Sequence, residues 1–94
     1  MLTTIELAQR YPVNGADSER CWFRLLDRWR SANRLKEGEH YRYRRNVGGR
    51  PVREYQERAV LVLVCRSEVP FAVSLRIEYG DAIRQKVSRE GVAI

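Results

Sequence analysis

The sequence predicts a single domain, residues 1–94, that is mainly α-helical and carries one small β-hairpin. Three observations lead to this fold class. A chain of 94 residues, 44% of them hydrophobic, has room for one core. Apolar residues recur at three- and four-residue steps in two stretches, which indicates amphipathic helices. Between them, residues 40–55 alternate and contain a glycine pair, a pattern typical of a hairpin.

The first helix is predicted from its start signal. Thr3 and Glu6 have the spacing of a capping box, in which each side chain accepts a backbone N–H of the other residue. We expect the helix to run from about Thr4 to Tyr11. Pro12 and the Asn14-Gly15 pair then end it, because neither continues a helix readily.

The second helix has the most regular pattern in the sequence. Asp17 or Ser18 is the expected N-cap and Asn33 the expected C-cap. On a helical wheel one face is apolar, with Trp22, Leu25, Leu26 and Trp29. The opposite face is cationic or polar, with Arg20, Arg24, Arg28 and Ser31. The sequence therefore predicts a helix with one buried and one basic side.

A basic hairpin should follow. We expect a turn at Gly38, a strand over His40–Arg45, a turn over Asn46–Gly49 and a returning strand over Pro51–Tyr55. Alternation places Tyr41, Tyr43 and Arg45 on one face of the first strand and Arg42 and Arg44 on the other.

The segment from Ala59 to Cys65 is an unbroken apolar run that fits a buried strand or a buried helix. Its valines favour a strand, whereas Gln56-Glu57-Arg58 resembles the start of a helix. We predict a helix by a narrow margin. A strand here would contradict the predicted architecture.

A last helix is expected with Ser67 as its cap and Pro70 in its first turn. Its buried stripe is predicted to contain Phe71, Leu75, Tyr79, Ile83 and Val87, with Ala72, Ile77 and Ala82 alongside. Gly80 should weaken this helix by about 1 kcal/mol relative to alanine. The tail after Gly91 should be loose.

The charges are strongly clustered. The chain has 18 Lys plus Arg, of which 16 are Arg, against 12 Asp plus Glu, for a net charge of +6. From Arg20 to Arg53 there are eleven cations and three acids, an excess of eight. Because the guanidinium fork suits phosphate, guanine edges and carboxylates, this bias indicates an anionic partner.

Several function classes are not expected. Cys21, Cys65 and the single histidine His40 lack the spacing of metal ligands, so we predict no metal site and no cofactor. A Cys21–His40 pair or a Glu37–Glu39 pair has nothing else in the sequence to support it as catalytic. Gly48-Gly49-Arg50 lacks the framework of a phosphate-binding loop. We therefore expect no enzyme.

The location expected from the sequence is the cytoplasm of a bacterial host cell. The two isolated cysteines, with no secretory leader, indicate reduced thiols. The longest apolar stretch is far shorter than the ~20 residues that cross a bilayer, so no membrane association is expected.

The arrangement of basic residues along the chain favours binding of double-stranded DNA. A short helix, an arginine-faced helix and a basic hairpin together fit a winged helix-turn-helix. The candidate nucleic-acid-binding residues are Arg20, Arg24, Arg28, Arg42, Arg44, Arg45, Arg50 and Arg53. Two plainer interpretations stay open, because such arginines are often only solvated or paired with nearby acids such as Asp27. The hairpin tyrosines, in turn, either stack on unpaired bases or pack internally.

Two motifs follow one another in the middle of the chain: Leu35-Lys36-Glu37-Gly38-Glu39-His40-Tyr41 and Gly48-Gly49-Arg50-Pro51-Val52-Arg53-Glu54-Tyr55. This order of motifs resembles the N-terminal domain of phage antirepressors of the AntA/AntB and Bro-N kind. A looser similarity to excisionase-type winged helices rests on the first helix and the wing. The resemblance implies a small phage or prophage regulator that binds DNA. The Pro12–Glu19 connection is longer than a tight helix-turn-helix turn.

Two functions are therefore expected from different classes. The first is a DNA-binding transcriptional regulator, a homodimer whose arginine-faced helix enters the major groove while the wing contacts the backbone. The second is a phage-encoded inhibitor that uses the same basic face on an acidic protein or ribonucleoprotein, such as a repressor or a host-defence complex including CRISPR effectors.

Overall fold

The computed structural model describes residues 1–13, 17–45 and 48–90. Their elements are, in order, α1 (Thr4–Arg10), α2 (Ser18–Ser31), β1 (Tyr41–Arg45), β2 (Pro51–Tyr55), α3 (Glu57–Arg66) and α4 (Pro70–Glu90). The strands form an antiparallel hairpin, which confirms the mainly helical fold with a small β-hairpin. Parts of three predictions, the break at Asn14-Gly15, the turn at Asn46-Val47 and the loose tail, lie outside the described residues.

The start of α1 is the predicted capping box. The Thr3 hydroxyl accepts the Glu6 amide at 3.2 Å, and the Glu6 carboxylate accepts the Thr3 amide at 2.8 Å. The helix ends at Arg10, one residue earlier than predicted, because Tyr11 leaves helical geometry at φ −129° and ψ 63°. The capping pair thus fixes the helix start, and the chain turns just before Pro12.

A polar side chain caps the start of α2, whereas its end has a backbone cap. Asp17 is the N-cap, since its carboxylate accepts the amide of the third helical residue at 3.3 Å. Ser18 binds elsewhere, because its hydroxyl accepts the Val13 amide at 2.9 Å. At the other end the C-cap is Ala32, one residue before the predicted Asn33. Asn33 follows with φ 60°, a left-handed conformation that asparagine tolerates well.

Trp22 lies at the centre of the core. It is fully buried together with Leu25, Leu26 and Trp29, as the helical pattern predicted. Its indole N–H donates to the Tyr11 carbonyl at 3.2 Å, and its ring meets Phe71 edge-on at 5.7 Å. Trp22 therefore connects α2 to the end of α1 and to the start of α4, and the opposite face of α2 is left in solvent.

The hairpin is paired along its whole length, with Arg42 opposite Glu54 and Tyr43 opposite Arg53. The first strand begins at Tyr41 and not at His40. Leu2 extends the pairing on the far side of β2, since its backbone exchanges two hydrogen bonds of 2.8 and 2.7 Å with Tyr55.

The apolar run after the hairpin is helical. Helix α3 buries Val60, Leu61 and Val64, which confirms the prediction of a helix over that of a strand. The predicted cap of the last helix is wrong: α4 begins at Pro70, whereas Ser67 is the C-cap of α3, and its hydroxyl accepts the Val69 amide at 3.1 Å.

The long helix α4 is interrupted at Tyr79, where φ is −126° and ψ is 19°, immediately before Gly80. The residues of the predicted stripe are buried or half-buried, as is Ala72. Ile77, however, is 78% exposed, and Ala82 is exposed too. Ile77 lies about 160° from the centre of the stripe on a regular helix, and Ala82 lies at its margin, just after the interruption.

Candidate nucleic-acid interface

The outward face of α2 carries three exposed arginines, Arg20, Arg24 and Arg28. Arg20 has one weak ion pair, with its Nε 3.9 Å from the exposed Asp17 carboxylate. Arg24 and Arg28 form no ion pair within the described residues, because the nearby Asp27 carboxylate binds Arg30 at 2.9 Å instead. Among the residues that the structure describes, nothing therefore occupies the guanidinium donors of these two arginines.

One face of the hairpin carries Arg42 and Arg44 around a single acid. The Glu54 carboxylate lies 3.3 Å from Arg42 Nε and 2.9 Å from Arg44 Nη1. These two predicted site residues are thus paired within the protein. The group of three still carries one net positive charge, since two guanidiniums share one carboxylate.

The other face of the hairpin is aromatic. Tyr55 is buried, and Tyr41 bridges it to the half-exposed Tyr43, with ring centroids 5.5 and 6.2 Å apart. Arg53 covers Tyr43: its guanidinium carbon is 5.2 Å from the ring centroid, and its Nε donates to the hydroxyl at 3.1 Å. The hairpin tyrosines therefore pack mainly on one another, and Tyr43 is the one whose ring remains well exposed.

An open groove of about 870 Å³ lies between the hairpin and the first two helices. Its basic side chains are Arg20, Arg30, Arg44 and Arg53, and its acids are Glu6, Asp17 and Glu19. Ile5 and Phe23, which are 52% and 56% exposed, line it together with Pro51 and Val52. The groove thus combines an apolar surface with charges of both signs.

Glu6 contributes a permanent negative charge to this groove. Its hydrogen bond from the Thr3 backbone lowers the pKa of the carboxyl, and the positive charge of Arg44 acts in the same direction. The carboxylate therefore stays ionised at neutral pH. The cationic excess lies mainly outside the groove, on the outer face of α2 and on the hairpin.

The structure brings together only some of the predicted site residues. Arg20, Arg44 and Arg53 meet in the groove. Arg24 and Arg28 lie about 40° and 80° beyond Arg20 around α2, on the side away from Phe23. The other three, Arg42, Arg45 and Arg50, are exposed on the hairpin but do not line the groove. The basic surface is consequently curved around α2.

Sequence reasoning did not assign Ile5, Phe23 or Arg30 to the site, although all three line the groove. Arg30 is largely buried, and its Nε has no hydrogen-bond partner among the described residues. Phe23 lies about 100° from Trp22 on the helical wheel, outside the apolar cluster. That mismatch between a large apolar side chain and a polar face was the signal available in the sequence.

Of the residues considered for catalysis, His40 takes part in a hydrogen bond of the backbone turn. His40 Nδ1 accepts the Lys36 amide at 2.9 Å within the turn before β1. Cys21 and Cys65 are both free thiols. Across residues 1–13, 17–45 and 48–90, no group of three His, Cys, Asp or Glu side chains is arranged to hold a metal ion.

None of the described helices is long and apolar enough to cross a membrane. Comparisons of the chain with protein-family models, with curated proteins and with solved structures give no match. What the antirepressor resemblance implies about function therefore stays a prediction.

Proposed function

We propose that this protein is a small DNA-binding regulator of the winged helix-turn-helix type, antirepressor- or excisionase-like, in which α2 is the recognition helix and the hairpin is the wing. The observation that carries the proposal is the solvent face of α2, where Arg20, Arg24 and Arg28 follow one another at one-turn intervals. They span about 12 Å of helix. A B-DNA major groove about 12 Å wide admits a helix of this kind.

The hairpin supports the same proposal. It follows α2 in the chain, and Arg44 and Arg53 line one groove together with Arg20 of α2. Arg42, Arg45 and Arg50 add three exposed cations along the hairpin. A wing of this composition contacts phosphates beside the recognition helix, which adds affinity without adding sequence information.

The test is fluorescence anisotropy of the full chain with labelled duplexes, over a series of salt concentrations. The duplexes carry the DNA flanking the protein's own gene or a scrambled version of it. We expect tighter binding to the flanking DNA by roughly 4 kcal/mol or more and a steep negative salt slope. Equal, weak binding to both, lost near physiological salt, would contradict the proposal. Light scattering of the complex tests whether the protein binds as a homodimer.

A second candidate function is inhibition of an acidic protein or ribonucleoprotein, such as a repressor or a host-defence complex. The observation that favours it is the apolar surface of Ile5 and Phe23 inside a groove of mixed charge. Protein interfaces combine such anchors with a polar rim. A stoichiometric protein complex at moderate salt, with no affinity for duplex DNA, would support this function over DNA binding.

A further inference from the structure

Glu54 is an acid in an unexpected place, because its side chain is only 8% exposed on a two-stranded hairpin rich in arginine. Its two carboxylate oxygens bind two different residues of the neighbouring strand. Oε1 lies 3.3 Å from Arg42 Nε, and Oε2 lies 2.9 Å from Arg44 Nη1. Arg42 and Arg44 are two residues apart on β1 and so share one face of the hairpin.

Both arginines remain open to solvent, with side chains that are 66% and 51% exposed. A guanidinium has five N–H donors, and Glu54 occupies few of them on each residue. Each head group is therefore held at one edge by Glu54, and its other edge has no hydrogen bond or ion pair to any described residue. A single cross-strand pair between Arg42 and Glu54 would already balance the acid. The second arginine leaves an uncompensated positive charge on the exposed face.

We infer that Glu54 is a positioning residue that aims the free edges of Arg42 and Arg44 at the backbone phosphates of a nucleic acid. This inference rests on the proposed DNA-binding function and identifies a phosphate subsite within it. Phosphate oxygens accept hydrogen bonds and carry negative charge, which matches two preset guanidinium forks with one excess positive charge. Holding long side chains in place before binding reduces the entropy that they lose in the complex.

The test is a Glu54→Gln substitution. A role of Glu54 in charge neutralisation and a role in positioning the arginines predict opposite changes in DNA affinity for this variant. The variant keeps the size of the side chain and raises the net charge from +6 to +7. If Glu54 only neutralised its neighbours, the variant would bind duplex DNA more tightly than the wild type. Loss of positioning instead weakens binding, by about fivefold or more. The matched control is Glu78→Gln, which adds the same charge at an exposed position on α4 and should not weaken binding.

A second measurement keeps the inference testable if Glu54→Gln destabilises the hairpin, which circular dichroism would reveal. Lysine substitution of both Arg42 and Arg44 keeps the charge and removes the planar forks. We expect this variant to lose affinity at every salt concentration, and wild-type affinity would overturn the inference. If the wild type itself binds no duplex, the proposed function fails as well. If it binds and Glu54→Gln binds equally or more tightly, only the role of Glu54 is wrong.

Discussion

The hydroxyl of Tyr11 donates a hydrogen bond of 2.6 Å to the carboxylate of Glu57 and so connects the end of α1 to the start of α3. Arg10 Nη1 and Lys86 Nζ approach the same carboxylate at 3.1 and 2.7 Å. Burial opposes ionisation of this acid, but the hydrogen bonds from Lys86, Tyr11 and Arg10 outweigh it and lower the pKa of Glu57. Burial, followed by the bond to Glu57, raises the pKa of Tyr11.

This cluster predicts how stability depends on pH. Because the pKa of Glu57 in the folded state lies below its ordinary value of 4.5, the carboxylate stabilises the fold above pH 4.5. That contribution is lost as the pH falls through the lower, folded value. In Glu57→Gln we expect a free energy of unfolding lower by about 1 kcal/mol or more at pH 7 and a weaker further loss in acid. Thermal unfolding between pH 7 and 3 measures both effects, with Glu68→Gln at an exposed position as the control. If Glu57→Gln and the wild type lost stability equally in acid, Glu57 would not be the source of the pH dependence.

Gly80 is expected to be a weak point of α4. A Cβ placed there would meet only the tip of the flexible Arg84 side chain, at 3.6 Å. Gly80→Ala should therefore raise the free energy of unfolding by about 0.5–1 kcal/mol, because the unfolded chain loses freedom. Gly49→Ala is the matched comparison: its φ of +83° strains any other residue, so it should destabilise. Differential scanning calorimetry distinguishes them, and destabilisation by Gly80→Ala would mean that the interruption at Tyr79 needs glycine.

The role of α2 can be separated from overall charge with two double variants. Arg24→Ala with Arg28→Ala removes two guanidiniums from the outward face of α2 that form no ion pair with any residue the structure describes. Arg66→Ala with Arg84→Ala removes the same charge from exposed positions on α3 and α4. We expect the first pair to lose about 1–3 kcal/mol of specific binding for each arginine that reads a base, and the second pair to lose much less. If fluorescence anisotropy showed equal losses of DNA affinity for the two double variants, the effect would depend on net charge alone.

Phe23 provides a test of contact with DNA bases. It is 56% exposed, so Phe23→Ala should change the free energy of unfolding by no more than about 0.5 kcal/mol. If Phe23 meets the major groove, it contacts a thymine methyl group. Replacing thymine by uracil in the duplex should then weaken binding of the wild type but not of Phe23→Ala. Ile77→Ala, a change at an exposed residue outside the groove, is the control; a wild type insensitive to uracil would exclude this contact.

The elements that sequence reasoning predicted well are those in which a local pattern decides the structure. The capping box at Thr3 and the spacing of Trp22 to Trp29 each depend on neighbours within one or two turns. The run from Ala59 to Val64 was ambiguous because full burial removes the polar face that distinguishes a helix from a strand. Ile77 was assigned to the wrong side, because a residue two positions from both Leu75 and Tyr79 lies about 160° away from each of them around a helix.

The candidate site was harder to predict because its geometry depends on which acid pairs with which arginine, across the hairpin and within α2. Charge identified the arginines, but not that Glu54 holds Arg42 and Arg44 or that Asp27 binds Arg30 and leaves Arg24 free. The pairing of Glu54 follows from the register of the two strands, and that of Asp27 from the positions of the side chains around α2. Composition therefore located the basic region, and only tertiary structure separated the paired guanidiniums from the available ones.

The backbone pairing of Leu2 with Tyr55 is a single bridge that holds the start of the chain against the end of β2. At Tyr55 it occupies backbone N–H and C=O groups that would otherwise be bare on an edge of the hairpin, the kind of edge on which proteins aggregate by adding strands. Trimming of Met1 and Leu2 would uncover that edge right next to Thr3, which lines the groove.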